Sequence, residues 1–315
     1  MNTSRSTVAA RLGWLVNILT KLLLATRPKQ WPKNLLIFLP LVFTANDTSG
    51  FDDAFYSLET VGKAVGAFVA FCALSGGVYI CNDIFDVERD RAHPIKRYRP
   101  LASGQLPIPL AVSAAAALMS AALVVSFWLT PQFGAIGAAY VISQLAYSIA
   151  LKAIPILDVF LVSSGFLFRV ASGAVVLPVP ISAWLYLCTG LGGLFIAISK
   201  RRSELATAGE LAGVQRDTLR SYTLGMLDQM ATVAAACALV SYALYTFTAE
   251  NLPANHAMML TIPFVGYGLF RYMFLVHVRG SGENPEDILV TDGPLIATVV
   301  LWLVISVAIL VSPNI

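Results

Sequence analysis

The sequence predicts an all-α fold, a polytopic membrane bundle of about nine transmembrane helices that forms one domain over residues 1–315. Of the 315 residues, 57% are hydrophobic and only 12% are charged, and the mean hydropathy is +0.73. This composition is typical of membrane proteins, because a soluble domain of this length needs more polar surface. The apolar residues form continuous runs near the roughly 20 residues that cross a bilayer as a helix. Since these runs do not alternate with polar residues, they favour helices over a closed barrel.

The predicted spans follow one another closely, and the first of them is the shortest. Ahead of it, apolar side chains recur at helical spacing in residues 8–26, which predicts an amphipathic segment lying in the membrane interface. The four cysteines lack paired spacing, so the sequence indicates neither a disulfide framework nor a zinc site. The nine predicted spans lie at 35–45, 61–81, 108–130, 133–151, 155–177, 183–199, 224–248, 257–276 and 293–312.

The loops between these spans differ sharply in charge. One set contains no lysine or arginine, whereas the other set holds most of the basic residues. Because basic loops tend to stay on the cytoplasmic side of a membrane, the N-terminus, the charged loops and the functional face are predicted to be cytoplasmic. The loops without basic residues are 45–60, 129–132, 178–182, 249–256 and 313–315, and the basic loops are 27–34, 82–107, 151–154, 200–223 and 277–292.

An acidic motif begins where the second predicted span ends. Asn82, Asp86 and Asp90 are spaced four residues apart, and Asp83 lies beside them, so we expect them along one face of a helix about 12 Å long. Carboxylates this close repel one another unless cations neutralise them, and hard oxygen ligands suit Mg²⁺. We therefore predict that these four residues bind Mg²⁺, or Mn²⁺ in its place. The alternative is a solvated helix end with salt bridges to nearby bases, but polar residues at the end of an apolar span are usually functional.

Two charged residues lie within the fifth predicted span. Asp158 is near its start, and Arg169 is about halfway along it. Charges at such positions normally face the interior of a helical bundle, where they pair with other groups or bind a ligand. Arg169 is therefore a candidate for substrate binding, with a purely structural pairing as the alternative.

The chain resembles the UbiA superfamily of intramembrane prenyltransferases over nearly its whole length. The resemblance rests on the motif Asn82-Asp83-x-x-Asp86-x-x-x-Asp90, on the nine spans, and on Tyr147 and Lys152 after the fourth span. Within the superfamily, the chain is most similar to the actinobacterial decaprenyl-phosphate phosphoribosyltransferases. Five stretches in the same order carry this likeness: RPKQWPKN (27–34), NDIFDVERDRAHPIKRYRPLASG (82–104), YSIALK (147–152), KRRSEL (200–205) and GENPEDI (282–288).

One departure from the superfamily pattern indicates the substrate. Members typically carry a second Asp-rich motif at the end of the sixth span, where this chain has the sequence SKRRSE at 199–204. One acidic cluster facing several cations suits a donor with two anionic ends, a diphosphate held through metal and a phosphate held by basic side chains. Phosphoribosyl pyrophosphate has this shape. The remaining bases suit the head group of a polyprenyl phosphate, whose tail would lie among apolar helices and membrane lipids.

The resemblance thus implies a Mg²⁺-dependent transferase that moves 5-phosphoribosyl from phosphoribosyl pyrophosphate to polyprenyl (decaprenyl) phosphate and releases pyrophosphate. It also implies a role in the synthesis of arabinan (arabinogalactan) precursors of the cell wall, at a bacterial inner membrane. The catalytic candidates are Asp86, Asp90, Lys152 and Lys200. The substrate-binding candidates are Lys29, Lys33, Asn34, Arg97, Arg99, Tyr147, Arg169, Arg201 and Glu204.

Two other classes of function are weighed against this interpretation. A prenyltransferase that uses a prenyl diphosphate and an aromatic or haem-type acceptor would need carboxylates at 200–204, where only Glu204 is present. A transporter or channel would need polar residues through to the outer side, whereas the charged residues are concentrated in loops of one predicted face. The sequence does not indicate nucleic-acid binding, and it leaves a homo-oligomer open.

Overall fold

The structure, a computed structural model, describes residues 13, 16–40, 58–177, 182–208, 217–249, 252–253, 255–279, 287–288 and 291–311. No β-strand occurs within these ranges, which confirms the predicted all-α fold. The α-helices are α1 (Val16–Ala25), α2 (Leu58–Phe85), α3 (Val87–Ala92), α4 (Ile108–Leu129), α5 (Pro131–Ile149), α6 (Leu157–Val176), α7 (Ala183–Ala208), α8 (Leu224–Thr248), α9 (Ile262–Val278) and α10 (Gly293–Val311).

Seven helices of the described residues are long and apolar enough to cross a membrane, namely α2, α4, α6, α7, α8, α9 with the turn before it, and α10. Helix α5, predicted as the fourth span, is a continuous helix of 19 residues. It has lower hydropathy than the other seven, because polar side chains such as Gln132 and Gln144 lie within it. The first predicted span, 35–45, extends into residues 41–57, which lie outside the described part. The number nine therefore stays a prediction.

The segment Pro28–Phe38 is a 3-10 helix rather than the beginning of a regular α-helical span. Pro32 lies inside it, and proline removes a backbone donor and clashes with the preceding turn of an α-helix. The segment packs against both α2 and α6. Gly173 of α6 makes room for it, because a Cβ atom there would clash with the carbonyl oxygen of Ile37. This close approach fixes the segment that carries three of the predicted binding residues.

The outer surface of the bundle is apolar. Large side chains are exposed on several helices, including Trp128 at 83%, Val233 at 62% and Val304 at 58% of their full accessibility. An apolar exterior of this extent is unfavourable in water and suits lipid contact. Together with the long apolar helices, it identifies a multi-pass membrane protein.

Helix α1 covers part of the segment that the sequence predicts to lie in the membrane interface. It exposes Leu19, Leu23 and Leu24, while Ala25 is buried in a cluster with Ile80 of α2. The helix therefore has one face toward the bundle and one apolar face turned outward. Interfacial binding of this segment stays a prediction, and its residues 8–12, 14 and 15 lie outside the described part.

Candidate active site

The acidic motif lies at a break between two helices. Asn82 and Asp83 belong to the last turn of α2, Asp86 lies between α2 and α3, and Asp90 belongs to α3. The prediction of one continuous helix was wrong at this point, because Asp86 has φ −99° and ψ 7°, outside helical geometry. Backbone bonds nevertheless join the Asp86 amide to the Asn82 carbonyl at 3.0 Å and the Asp90 amide to the Asp86 carbonyl at 2.8 Å. The helical spacing of the motif therefore continues across the break.

Two arginines neutralise the buried carboxylates of this motif. Arg99 Nη1 donates to Asp83 Oδ1 at 3.0 Å and to Asp90 Oδ2 at 2.7 Å. Arg27 Nη2 also donates to Asp83 Oδ1, and its guanidinium lies over the Tyr79 ring at 5.0 Å. Asp83 and Asp90 are only 2% and 4% exposed. The structure therefore contradicts the alternative of a solvated helix end. Because Asp83 and Asp90 are buried, they need the neighbouring arginines to stay charged.

Burial and neighbouring charges shift the pKa values in this cluster. Burial raises the pKa of Asp90, and the like charge of Asp83 adds to the rise, while Arg99 opposes both. Burial by itself would lower the pKa of Arg27, but the Asp83 carboxylate outweighs it, so the pKa of Arg27 is raised. Arg27 therefore remains a cation that fixes Asp83 in place.

The end of α5 lies against the same acidic motif. Lys152 Nζ donates to Asp86 Oδ1 at 2.5 Å, and Ser148 Oγ donates to Asn82 Oδ1 at 3.2 Å. Lys152 lies in a short 3-10 turn, Leu151–Ala153, between α5 and α6. The structure thus brings the predicted base Lys152 to the predicted metal ligands.

A second polar cluster surrounds Arg201 of α7. Its Nε atom donates to Asp158 Oδ2 at 2.6 Å, its Nη1 atom to Glu204 Oε2 at 2.6 Å, and its Nη2 atom to the Tyr147 hydroxyl at 2.9 Å. Tyr222 donates its hydroxyl hydrogen to Asp158 Oδ1 at 2.7 Å. Burial and the Asp158 carboxylate raise the pKa of Tyr222 to about 12, so this hydroxyl stays a donor at neutral pH.

The two clusters meet at the C-terminal end of α5. Tyr147 contacts Arg201, and Lys152 contacts Asp86. The acidic motif and the basic end of α7 therefore lie at the same end of the bundle, as the predicted site requires. Lys200 is half-buried and immediately precedes Arg201 in α7.

Asn34 and Arg169 form a separate buried pair. Arg169 Nε donates to Asn34 Oδ1 at 2.7 Å, and Arg169 Nη1 donates to the Gly165 carbonyl at 2.5 Å. The guanidinium also lies over the Phe71 ring at 5.2 Å and the Tyr140 ring at 5.5 Å. Both predicted substrate ligands are thus bonded to protein groups away from the carboxylates, which corresponds to the structural alternative weighed for Arg169.

Three predicted binding residues lie at the surface or on the 3-10 segment. Arg97 is exposed and donates to the Tyr98 hydroxyl at 2.7 Å, apart from the acidic motif. Lys29 is exposed, and Lys33 donates to Gln30 Oε1. The structure brings none of these three into hydrogen-bond contact with the carboxylates, so their role in binding stays a prediction.

Arg27 and Tyr222 are site residues that the sequence motifs did not predict. Arg27 precedes Pro28 at the start of the 3-10 segment, and its position in the stretch RPKQWPKN is the one signal that could have found it. Tyr222 lies 64 residues from Asp158, in a polar loop without a motif. Nothing local in the sequence points to its contact.

Comparison with known proteins identifies the family. The profile of the UbiA prenyltransferase family matches residues 54–284. The decaprenyl-phosphate phosphoribosyltransferase of Mycolicibacterium smegmatis is 36% identical over 295 residues, which cover 91% of each chain. The enzyme of the same name from Corynebacterium glutamicum is 33% identical over 91% of this chain and 85% of its own.

A solved structure agrees with the fold. The UbiA homolog from Archaeoglobus fulgidus, bound to GPP and Mg²⁺, superposes with a TM-score of 0.69 at 18% identity and covers 93% of this chain and 99% of its own. The family match, the sequence relatives and the shared fold confirm the resemblance predicted from the motifs. The chain belongs to the UbiA prenyltransferase family.

Proposed function

We propose that the protein transfers the 5-phosphoribosyl group from phosphoribosyl pyrophosphate to the phosphate of a polyprenyl phosphate and releases pyrophosphate. Relatives that are 33–36% identical over 91% of the chain bear the name decaprenyl-phosphate phosphoribosyltransferase. The stretches that carry the resemblance contain the whole acidic motif and three residues of the second cluster, Tyr147, Arg201 and Glu204. A decaprenyl chain is accordingly the proposed lipid, and the proposed role is the supply of arabinan precursors.

The observation that carries this proposal is the position of α5 between the acidic motif and the basic end of α7. Lys152 and Tyr147 belong to the same short stretch and contact Asp86 and Arg201, respectively. A donor bound between these clusters would have its diphosphate close to the carboxylates, linked to them through a metal ion. Its second phosphate would lie close to the cations. Lys152 and Lys200 are the proposed ligands of that second phosphate.

The acidic motif fits a Mg²⁺ ion in its chemistry. Its side chains offer three carboxylates and one amide oxygen, and Mg²⁺ prefers hard oxygen ligands together with water and substrate phosphate. In the described residues, Asp83, Asp86 and Asp90 are neutralised by Arg27, Arg99 and Lys152, and no group of three potential ligands already surrounds one point. Asn82, Asp83, Asp86 and Asp90 would hold the ion once these ion pairs open. The ion would supply positive charge for the diphosphate as the bond to the sugar breaks.

The protein's own residues then have simple tasks. Arg27 and Arg99 keep Asp83 and Asp90 ionised and oriented. A lipid phosphate is itself anionic at neutral pH, so its attack on the sugar carbon needs positioning rather than a strong general base. Two bases of the 3-10 segment, the exposed Lys29 and the half-buried Lys33, are the proposed contacts of that phosphate. In this proposal the site lies on the cytoplasmic face of a bacterial inner membrane. The donor is a water-soluble anion, and the basic loops lie at the same end of the bundle as the site.

The proposal is tested with purified protein in lipid nanodiscs. Labelled phosphoribosyl pyrophosphate, decaprenyl phosphate and Mg²⁺ are expected to give a labelled product soluble in chloroform, together with pyrophosphate. A parallel reaction with a prenyl diphosphate and an aromatic acceptor tests the alternative activity. Product in the second reaction alone would contradict the proposal, as would phosphoribosyl transfer that persists after complete removal of divalent ions.

A further inference from the structure

The loop between α5 and α6, residues 150–156, presents Lys152 and contains a strained residue. Ile156 has φ 70° and ψ −49°, and the Leu157 amide donates to the Pro155 carbonyl across it at 2.8 Å. Ile156 is thus the central residue of a γ-turn of the rare positive-φ type. A β-branched residue rarely adopts this conformation, and such strain persists only where the surrounding structure holds it.

Tyr222 holds this turn from outside. Its hydroxyl oxygen accepts a hydrogen bond from the Ile156 amide at 2.5 Å, and it donates to Asp158 Oδ1 at 2.7 Å. The 3-10 segment Asp217–Ser221, which leads into Tyr222, packs on the turn Leu151–Ala153 that contains Lys152. The C-terminal side of the loop between α5 and α6 is therefore bonded to Tyr222, which lies far away in the sequence.

The Tyr222 hydroxyl is also linked, through other side chains, to Tyr147 on the N-terminal side of the same loop. Asp158 accepts from Arg201 Nε at 2.6 Å, and Arg201 donates to the Tyr147 hydroxyl at 2.9 Å. Tyr147 precedes Lys152, and Ile156 follows it. Lys152 is thus flanked by two anchors that belong to one hydrogen-bond network.

We propose that Tyr222 is a positioning residue, which holds the strained turn at Ile156 and thereby keeps Lys152 within reach of Asp86 and of an anionic donor. The nature of that donor rests on the proposed function. Arg201 has the same task in this arrangement, since it is 2% exposed and three of its nitrogen atoms already donate to protein groups. Arg201 is then a support for the site rather than a ligand of the substrate phosphate.

The first test does not depend on activity. Hydrogen exchange of residues 151–158 is measured by mass spectrometry in nanodiscs for the wild-type protein and for Tyr222→Phe, which keeps the ring and removes both hydrogen bonds. We expect exchange in this stretch to become about tenfold faster. Unchanged exchange would overturn the positioning role, whatever substrate the enzyme uses.

Tyr242 provides a matched control. It is also buried, and its hydroxyl has partners in Thr261 at 2.6 Å and Trp302 at 2.8 Å, remote from the acidic motif. Tyr242→Phe is expected to lower thermal stability to a similar extent and to leave exchange at 151–158 unchanged. Faster exchange at 151–158 in both variants would mean a general loss of stability and would overturn the proposal.

The second test uses the kinetics of phosphoribosyl transfer. Tyr222→Phe is expected to raise the KM for phosphoribosyl pyrophosphate about tenfold and to leave the KM for the lipid unchanged. Adding Ile156→Gly should restore the donor KM to within about threefold of wild type, because glycine adopts positive φ without strain. A double variant as impaired as the single one would overturn the role of the strained turn. If Tyr222→Phe alone does not fold, the double variant is expected to fold, and its failure would overturn the proposal in the same way.

The two tests separate this inference from the proposed function. If the wild-type protein transfers no phosphoribosyl group, the function fails, while the exchange measurement still decides the role of Tyr222. If transfer occurs and Tyr222→Phe behaves as the wild type in both tests, the positioning role alone fails.

Discussion

Lys152 Nζ lies 2.5 Å from Asp86 Oδ1, so the turn after α5 is tied to the break between α2 and α3. The two side chains are 12% and 19% exposed. The Lys152 ammonium thus neutralises the Asp86 carboxylate. In the proposed mechanism Asp86 would hold Mg²⁺, and Lys152 would then be available to the second phosphate of the donor.

Replacement of Asp86 by asparagine is expected to abolish phosphoribosyl transfer and to leave the protein folded. The change removes the charge of a proposed metal ligand and keeps its shape. Transfer is measured as labelled product in chloroform, and folding as a single peak in size-exclusion chromatography. Glu88→Gln is the control, because Glu88 is an exposed carboxylate of the same segment that pairs with Arg91 at the surface, where ion pairs contribute little. Near-normal turnover by Asp86→Asn would contradict the metal assignment.

Replacement of Lys200 by alanine is expected to raise the KM for phosphoribosyl pyrophosphate by about 10- to 100-fold, since a charged hydrogen bond contributes about 1.5–3 kcal/mol. Steady-state kinetics with varied donor concentration measure the effect. Lys63→Ala is the control, because Lys63 pairs with Glu59 at the opposite end of α2. An unchanged donor KM in Lys200→Ala would remove Lys200 from the site.

Replacement of Gly173 by alanine is expected to lower the free energy of unfolding by about 1–3 kcal/mol. The new Cβ atom would clash with the Ile37 carbonyl and displace the 3-10 segment. Thermal unfolding in detergent measures the change. Gly192→Ala is the control, because no atom beyond the adjacent backbone of its own helix lies within 4 Å of a Cβ built there, so this helical substitution should leave stability the same or raise it slightly. Equal melting temperatures for the two variants would speak against the close approach.

Asp292 is expected to stabilise the start of α10 in a pH-dependent way. Hydrogen bonds from Arg271 lower the pKa of Asp292, burial opposes them, and the Leu295 amide adds to the lowering. Because the folded pKa is below the unfolded value, the carboxylate contributes stability above the unfolded value of about 4. That contribution is lost as the pH falls through the folded pKa. Asp292→Asn should therefore lower the melting temperature near neutral pH and have a smaller effect in acid. If Asp292→Asn lowers the melting temperature equally at neutral and acid pH, the assigned role of the Asp292 carboxylate is contradicted.

The long helices could be predicted because the bilayer constrains them. The run at 224–248 coincides with α8, Leu224–Thr248, and the run at 155–177 encloses α6, Leu157–Val176. Continuous apolar stretches of this length have few alternatives to a spanning helix. The first predicted span differs from these, because its beginning, residues 35–38, belongs to the 3-10 segment in which Pro32 disrupts α-helical hydrogen bonding.

The candidate site could be predicted only in part. The spacing of Asn82, Asp86 and Asp90 indicates neighbours along one helix, and the structure keeps that spacing. Spacing carries no information about partners on other helices, so the contacts of Arg27 with Asp83 and of Tyr222 with Asp158 were not found. These contacts depend on how the helices pack, which no local pattern encodes.

The pairing of Arg169 with Asn34 has a consequence for how the protein enters the membrane during synthesis. The two residues are 135 positions apart, and an arginine near the centre of an inserting helix costs about 3 kcal/mol. Helix α6 as a whole is long and apolar enough to cross a membrane, so it favours insertion in spite of that charge. Because Asn34 precedes Arg169 in the chain, the acceptor is synthesised before the guanidinium, and the pair can form as soon as α6 packs against the 3-10 segment.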